Sequence, residues 1–560
     1  MWGKVLHKIT RKKTIQGDVL ATELHRCLST FDLVVIGVSN MMGSGIYVLS
    51  GVIAHHTSGP ALPLCFLVAA IASSMSASCY AEFASRVPKA GSAYIYTYIT
   101  MGELAAFLIG WNVILEHIIA IAALSRGLIG YLNTATHESV SDTLHEVFRE
   151  HDWDPYVIPI ILTAALIVCL GVKSSALFNT ILSTITVIIA SFVVISGTIL
   201  ADFSNWHDFL PYGPSSIFEG AAQAYFAFVG LDVVATASEE ALNPFKTVPR
   251  AIGLSLLVVS VIYILSSAAL TLMVPYTEIV DDSALSAAFV YHGWKWAEYI
   301  ITFGALAAMT GSLLGTVFAV SRCTYALAVD GTLFKFLAKI NSKTQTPIIA
   351  TLVMTSIAMI FAFFLPMEIL AELLSMGTLL AYFVVALATI MIRYHPLDLI
   401  TGLPFDTQEQ SENARLVKSC KWERNQTISL SLFLVFAILT NLFLALAKHN
   451  SNRDYAFTTY VILICVFSLL MAGSIIYFSV VSQENPSEPA YKVPFNPFMP
   501  AASIFVNFYL ITHLKLITWV LIFGWVIVGL VVYATYGNFH SVLEDTQPSD
   551  PTTKKEEKVN

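Results

Sequence analysis

Charge is what this chain most lacks. Asp, Glu, Lys and Arg make up only 12% of its 560 residues, against 56% hydrophobic; a soluble domain carries about 25% charged residues. Sustained over the whole length, that deficit excludes an ordinary soluble protein, and no nucleic acid is expected as a partner. The net charge of −8 says little about partners in so apolar a chain. Cysteine is scarce too. Cys27, Cys65, Cys79, Cys169, Cys323, Cys420 and Cys465 fall in helices or in segments expected inside, so no disulfide framework is implied. Met1 to Ser29 is polar and basic, without the short apolar core and small-residue cleavage site of a signal peptide. There is no HExxH zinc pattern and no nucleophile–base constellation. An enzyme is therefore not expected, and neither a cofactor nor a metal.

What the chain has is long apolar runs. A bilayer span takes about 20 apolar residues, and about fourteen candidate segments meet that rule. They start near Phe31, Ala61, Tyr94, Tyr156, Ala176, Ser215, Ala251, Ala297, Pro347, Met367, Ile428, Ala456, Pro497 and Thr518. The runs are continuous rather than alternating, which predicts helices in a lipid bilayer and not a barrel. Lys and Arg set the orientation. With the N-terminus cytoplasmic, 24 of them fall inside and five outside (Arg149, Lys295, Lys448, Arg453, Lys515), with Arg126 within a helix. Both ends are thus expected in the cytoplasm.

Two stretches break the apolar pattern. The first apolar segment, Phe31 to His55, holds Gly43, Ser44 and Gly45 in a row. Glycine weakens a helix, and unwound backbone survives at membrane depth only where it lines a cavity or is buried in protein. Free N–H groups there suit a carboxylate, and free carbonyls suit an ammonium. Close helix packing is the other use of such small residues. The sixth segment holds Gly230 and Asp232 midway, and an intramembrane carboxylate is a functional candidate by default. Interruptions at corresponding places in two sets of five helices are the sign of an inverted repeat with substrate bound between the halves.

The expected organisation follows: a cytoplasmic segment at 1–30, a first repeat at 31–201, a second at 215–394, a cytoplasmic linker at 395–427, four further helices at 428–538 and a tail at 539–560. The linker carries Asn425-Gln426-Thr427, a glycosylation pattern that a cytoplasmic position leaves unmodified. The acidic loop from Asn133 to Pro155 is read as solvated. The stretch after the eighth helix, from Ser321 to Pro347, is read as an amphipathic inner segment. Glu116 and His117 are placed near the outer end of the third helix in a structural role.

Several stretches are familiar: GSGIYVLSG (43–51), EFASRVPKAGSAYIYTY (82–98), GELAAFLIGWNVIL (102–115), AFVGLDVVATASEEALNP (227–244), GALAAMTGSLLGTVFAVSRCTYAL (304–327) and YKVPFNPFMPAASIFVNFYL (491–510). On these the chain resembles the cationic amino acid transporter family of the amino acid–polyamine–organocation superfamily. The last stretch lies in a thirteenth helix that the shorter twelve-helix relatives lack. The resemblance implies an all-α membrane protein with a LeuT-like 5+5 inverted repeat plus four C-terminal helices, moving arginine, lysine, ornithine or similar small amino acids.

Carried over by position, Gly43, Ser44 and Gly45 take the carboxylate. Backbone from Phe228 through Gly230 to Leu231 meets the amino group. Glu103 and Asp232 are the intramembrane acids. Asn40, Ile46, Trp111, Phe226, Thr186, Thr310 and Ser312 are candidates for gate or path. Leu231 stands where the family pattern has a second Phe. Proton-coupled bacterial relatives place a lysine in the fifth helix, where this chain has Thr186 and no lysine, so potential-driven movement without an obligatory proton is expected. The outer loop lacks the cysteine that joins twelve-helix relatives to a heavy chain, so no disulfide-linked heavy chain is expected. A plasma-membrane site is expected, with the lysosome as the second choice. A neutral amino acid or polyamine carrier, or a non-transporting sensor, remains open on sequence alone.

Overall fold

The computed structural model describes residues 11–13, 26–43, 45–89, 91–135, 155–280, 284–394, 412–449, 454–482, 491–512 and 514–541. The acidic outer loop lies almost entirely outside them, as does Ser44. The described residues are overwhelmingly helical, with one isolated β-bridge between Leu28 and Ala241. The principal helices are α1 (Thr30–Met41), α2 (Leu62–Arg86), α3 (Glu103–Ala135), α4 (Val157–Cys169), α5 (Val172–Ile199), α6 (Ser215–Ala224), α7 (Pro244–Met273) and α8 (Lys295–Val329). They continue with α9 (Ile348–Phe364), α10 (Met367–Tyr394), α11 (Glu412–His449), α12 (Asp454–Val481), α13 (Phe498–Ile511) and α14 (Leu516–Val532).

Ten helical stretches among the described residues are long and apolar enough to cross a bilayer. The helices α4, α9 and α13 are shorter apolar ones. The chain is an integral, multi-pass, all-α membrane protein.

Burial sorts the helices into layers. The most apolar windows of α3, α8 and α10 are 78%, 83% and 78% buried, whereas those of α11 and α12 are 28% and 17% buried. The first three form the centre, and α11 and α12 pack chiefly on each other at the edge. Within the first ten helices a packing offset of five recurs: α2 lies along α7, α3 along α8 and α4 along α9.

Local chemistry explains the helix starts that frame the centre. Ser29 caps α1 reciprocally: its side chain accepts from the Asp32 N–H, and the Asp32 carboxylate accepts from the Ser29 N–H at 2.9 Å. Two otherwise orphaned donors are thereby satisfied. Pro244 opens α7 at the position where its missing N–H costs nothing. Cys27 and Leu28 donate to Glu240 O, and Leu242 donates back to Leu28 O, which ties the start of α1 to the chain just before α7.

Three expectations are corrected here. The residues from Ser321 to Val329 are no separate amphipathic segment; they continue α8 and are mostly buried. Arg322 is buried there because its guanidinium reaches Glu240 at 3.0 Å and lies over the Phe318 ring at 3.8 Å. The polar stretch Glu412–Thr427 is helical, forming the start of α11 rather than a linker. The third apolar segment does not begin at Tyr94: Ala93–Thr100 is a short helix of its own, and α3 starts at Glu103 after Gly102, whose φ is +108°.

Candidate substrate site

Two helices lose their regular winding next to each other. α1 stops at Met41, and the chain resumes at Gly45 as a π-helical turn to Leu49, one α-turn (Ser50–Ile53) and a second π-turn (Ala54–Ser58). α6 stops at Ala224 and tightens into a 3-10 turn from Tyr225 to Phe228. Val229 is extended, Gly230 turns with φ of +110°, and a second α-segment runs from Asp232 to Thr236. Only glycine adopts that φ without strain. The breaks touch: a Cβ at Gly45 would lie 2.5 Å from Ala227 Cβ and 2.8 Å from Ala227 Cα.

Side chains fasten the loosened backbone. The Tyr263 hydroxyl of α7 is within hydrogen-bond distance of Met41 O (2.6 Å) and Ala227 O (3.2 Å), one carbonyl from each break. Asn40 Nδ2 donates to Gly230 O at 3.3 Å, and Ser312 Oγ of α8 donates to Asn40 O at 2.9 Å. Tyr131 of α3 donates to Tyr47 O at 2.9 Å. Ser39 Oγ of α1 donates to Asn179 Oδ1 of α5 at 2.6 Å, which braces α1 just ahead of its break. These hydroxyls and amides replace the helical bonds that unwinding removed. Nothing in the sequence singled out Tyr263, Tyr131 or Asn179.

A cavity of about 50 Å³ opens between the breaks, α3 and α8, room for roughly three to five waters. Asn40, Gly43, Gly45, Phe226, Gly230, Asp232, Ser312 and its helix neighbour Thr316 line it, together with Glu116 and His117, which were not proposed for it.

The acidic groups are the main chemistry. Glu116, His117 and Asp232 are all buried, and one ligand atom from each lies within 4.8 Å of the others. Thr378 donates to Glu116 Oε1 at 2.6 Å, and His117 Nε2 stands 3.6 Å from Asp232 Oδ2. Glu116 Oε2, His117 Nε2 and Asp232 Oδ1 have no hydrogen-bond partner among the described residues. Buried polar atoms are costly when left unpaired. Two carboxylates beside an imidazole suit a cation, organic or metallic.

Glu103 is elsewhere. It is fully buried at the start of α3, paired with Arg11 and accepting from Tyr98 (2.8 Å), Tyr533 (2.9 Å) and Ser541 (3.0 Å). Burial opposes the charge on Arg11, but Glu103 overrides it and raises the guanidinium's pKa above its ordinary value. Both Glu103 oxygens are committed, and the residue does not line the cavity, which corrects its assignment to substrate. Trp111 is no gate there either: its indole stacks on Trp525 of α14 at 4.5 Å, and each indole N–H donates to the other's backbone carbonyl at 3.0 Å. Thr186 and Thr310 donate within their own helices, to Leu182 O and Leu306 O. Ile46, Phe228 and Leu231 are buried beside the breaks without lining the cavity, and the Phe228 ring packs on Tyr263 at 5.3 Å.

A cavity between two interrupted helices, walled by apolar helices and lined by Glu116 and Asp232, is the construction of a membrane transport protein. Residues 28–465 match the amino acid permease family, and residues 491–541 match the family described as the C-terminus of AA_permease. The chain is 36% identical to "Cationic amino acid transporter 4" of Mus musculus, over 98% of this chain and 92% of that protein. It is 32% identical to "Cationic amino acid transporter 4, vacuolar" of Arabidopsis thaliana, covering 93% of each. It is also 32% identical to that plant's "Cationic amino acid transporter 3, mitochondrial", covering 96% of each. The chain belongs to the cationic amino acid transporter family, within the amino acid permeases.

Proposed function

We propose that this protein carries cationic amino acids across a membrane by alternating access, with the substrate between the two helix breaks and its side-chain cation facing Glu116 and Asp232. One observation carries the reading: three buried polar atoms, on Glu116, His117 and Asp232, lie on the cavity-lining residues with no hydrogen-bond partner among the described residues. A guanidinium or ammonium supplies the donors that the carboxylates lack. The N–H groups around Gly43 to Gly45 meet the α-carboxylate, and the carbonyls from Phe228 to Leu231 meet the α-amino group. Arginine exceeds the space of a few waters, so loading requires the helices around Phe226 to part, as alternating access demands.

The recurring packing offset of five helices supports an inverted repeat, with 31–201 and 215–394 as its halves and 428–538 as an appended bundle. Both ends lie in the cytoplasm on this reading, because the basic residues gather on that side. Lys173 falls at the opening of α5, and from Ala176 to Ile199 the helix has no lysine; Asn179, Ser183 and Thr186 are the buried polar side chains there. Transport is then driven by membrane potential without an obligatory proton. No disulfide-linked heavy chain is required, since residues 133–155 contain no cysteine. Residence is in the plasma membrane, with an intracellular membrane as the runner-up, given relatives named vacuolar and mitochondrial.

The test is uptake of radiolabelled arginine, leucine and spermidine into proteoliposomes at clamped potentials. Arginine should enter and respond to voltage. Leucine uptake without arginine uptake would overturn the substrate class. Arginine uptake driven by a pH gradient at zero potential would overturn the uncoupled mechanism.

A further inference from the structure

Apart from the residues that line the substrate cavity, α2 and α7 run side by side and leave a groove of about 280 Å³. It is lined along α2 from Ala70 to Ala81 and along α7 from Pro249 to Ser260, and Tyr491 lines it too. Twelve residues of helix, eleven rises of about 1.5 Å, span about 16 Å.

The walls show what class of ligand fits. Ser74, Ser78 and Ser260 donate to carbonyls of their own helices, at 2.6, 2.8 and 2.7 Å, so their hydroxyl protons are already committed. Apart from Tyr491 at one end, the remaining surface is Ala, Ile, Leu, Pro and Gly. Gly253 is exposed, and a Cβ added there would meet no atom within 4 Å. The groove is a shallow apolar channel on a lipid-facing side of the bundle, with Leu257 59% exposed along it.

One end of the channel is fixed and basic. Tyr491 O accepts from Ser85 Oγ at 3.2 Å, and the Val493 N–H donates to Glu82 Oε2 at 2.7 Å. This pins Tyr491 to Val493 on the end of α2 and presents the exposed Lys492 between them. Lys246 and Arg250 are exposed on the opening turns of α7; four residues apart, they share a face. Arg250 adjoins Pro249, the first α7 residue of the lining. An apolar channel with cations at one end complements a lipid with a hydrocarbon tail and an anionic head, and anionic headgroups populate the cytoplasmic leaflet.

We infer that the α2–α7 groove holds one acyl chain of an anionic phospholipid, whose headgroup is met by Lys246, Arg250 and Lys492. Neither the substrate site nor the direction of transport enters this inference.

Native mass spectrometry of the full-length protein tests it, with phosphatidylserine, phosphatidylcholine and cholesterol offered at equal concentration. The wild type should retain phosphatidylserine in preference to the other two. Retention should fall about fivefold for each basic charge removed, so the Arg250→Gln/Lys492→Gln double variant should lose about twenty-five-fold. Gly253→Phe fills the channel and should abolish retention while leaving the unfolding temperature in lipid-free detergent unchanged. Equal retention of phosphatidylcholine or cholesterol overturns the proposal, as does a Gly253→Phe protein that holds phosphatidylserine like wild type. Should Gly253→Phe fail to fold, the double charge variant decides, since both its residues are exposed; undiminished retention there overturns the proposal equally.

Discussion

Substituting Gly230 by Ala strikes the seam between the two broken helices. Its φ of +110° is one that an L-residue enters at a cost of about 1–3 kcal/mol. The new Cβ would also stand 2.5 Å from Asn40 Nδ2 and 3.2 Å from both Asn40 Cγ and Asn40 O. Asn40 must move, and either its bond to Gly230 O or the contact from Ser312 to Asn40 O is lost. Losing one of these costs about 1 kcal/mol more. The sum is about 2–4 kcal/mol, and at 1.4 kcal/mol per decade it corresponds to roughly thirty- to several-hundred-fold in apparent affinity. Initial rates of arginine uptake into proteoliposomes at fixed inside-negative potential measure the loss. Gly253→Ala is the control, because its Cβ meets nothing within 4 Å. If Gly230→Ala transports arginine with wild-type KM and rate, the reasoning about this seam is refuted.

Other outcomes follow from the same geometry. Asp232→Asn should raise the arginine KM about thirtyfold or more, since removing one partner of a buried charge pair costs about 2–5 kcal/mol; Glu116→Gln should act in the same direction. Glu103→Gln leaves Arg11 without its carboxylate and should lower the unfolding temperature, at a cost of about 3 kcal/mol, with the arginine KM unchanged; a selective rise in KM would return Glu103 to the substrate path. Trp111→Ala removes the stacked pair with Trp525 and should cost about 3 kcal/mol or more in stability, again without altering KM. For a substrate carrying one net charge, 100 mV is worth about 2.3 kcal/mol, so wild-type vesicles should accumulate arginine about fiftyfold at that potential. Accumulation independent of potential would contradict a uniport.

The breaks were legible because glycine and acid are conspicuous inside apolar runs. Gly43, Gly45, Gly230 and Asp232 interrupt patterns that are otherwise continuous, and all four line the cavity. The depth of the α3 residues was not legible. With the third helix taken to start at Tyr94, Glu116 and His117 fall near its outer end and Glu103 falls within the membrane. The turn at Met101 and Gly102 resets that register. Glu103 becomes the first residue of the helix, and Glu116 the fourteenth of 33, level with the breaks. A glycine immediately before a Glu–Leu–Ala–Ala run would have been the signal for a helix start, but not for the partners of Glu103. Those come from Arg11, Tyr533 and Ser541, far apart in sequence. The same holds for Tyr263, whose reach to Met41 O and Ala227 O depends on how α7 crosses both breaks.

The most direct measurement is an electron-density map of the protein with saturating arginine. An ordered amino acid should lie between Gly43–Gly45 and Phe228–Gly230, with its guanidinium at hydrogen-bond distance, about 3 Å, from Glu116 or Asp232. Arginine ordered at another place, or α1 and α6 running as unbroken helices with no space between them, would contradict the account.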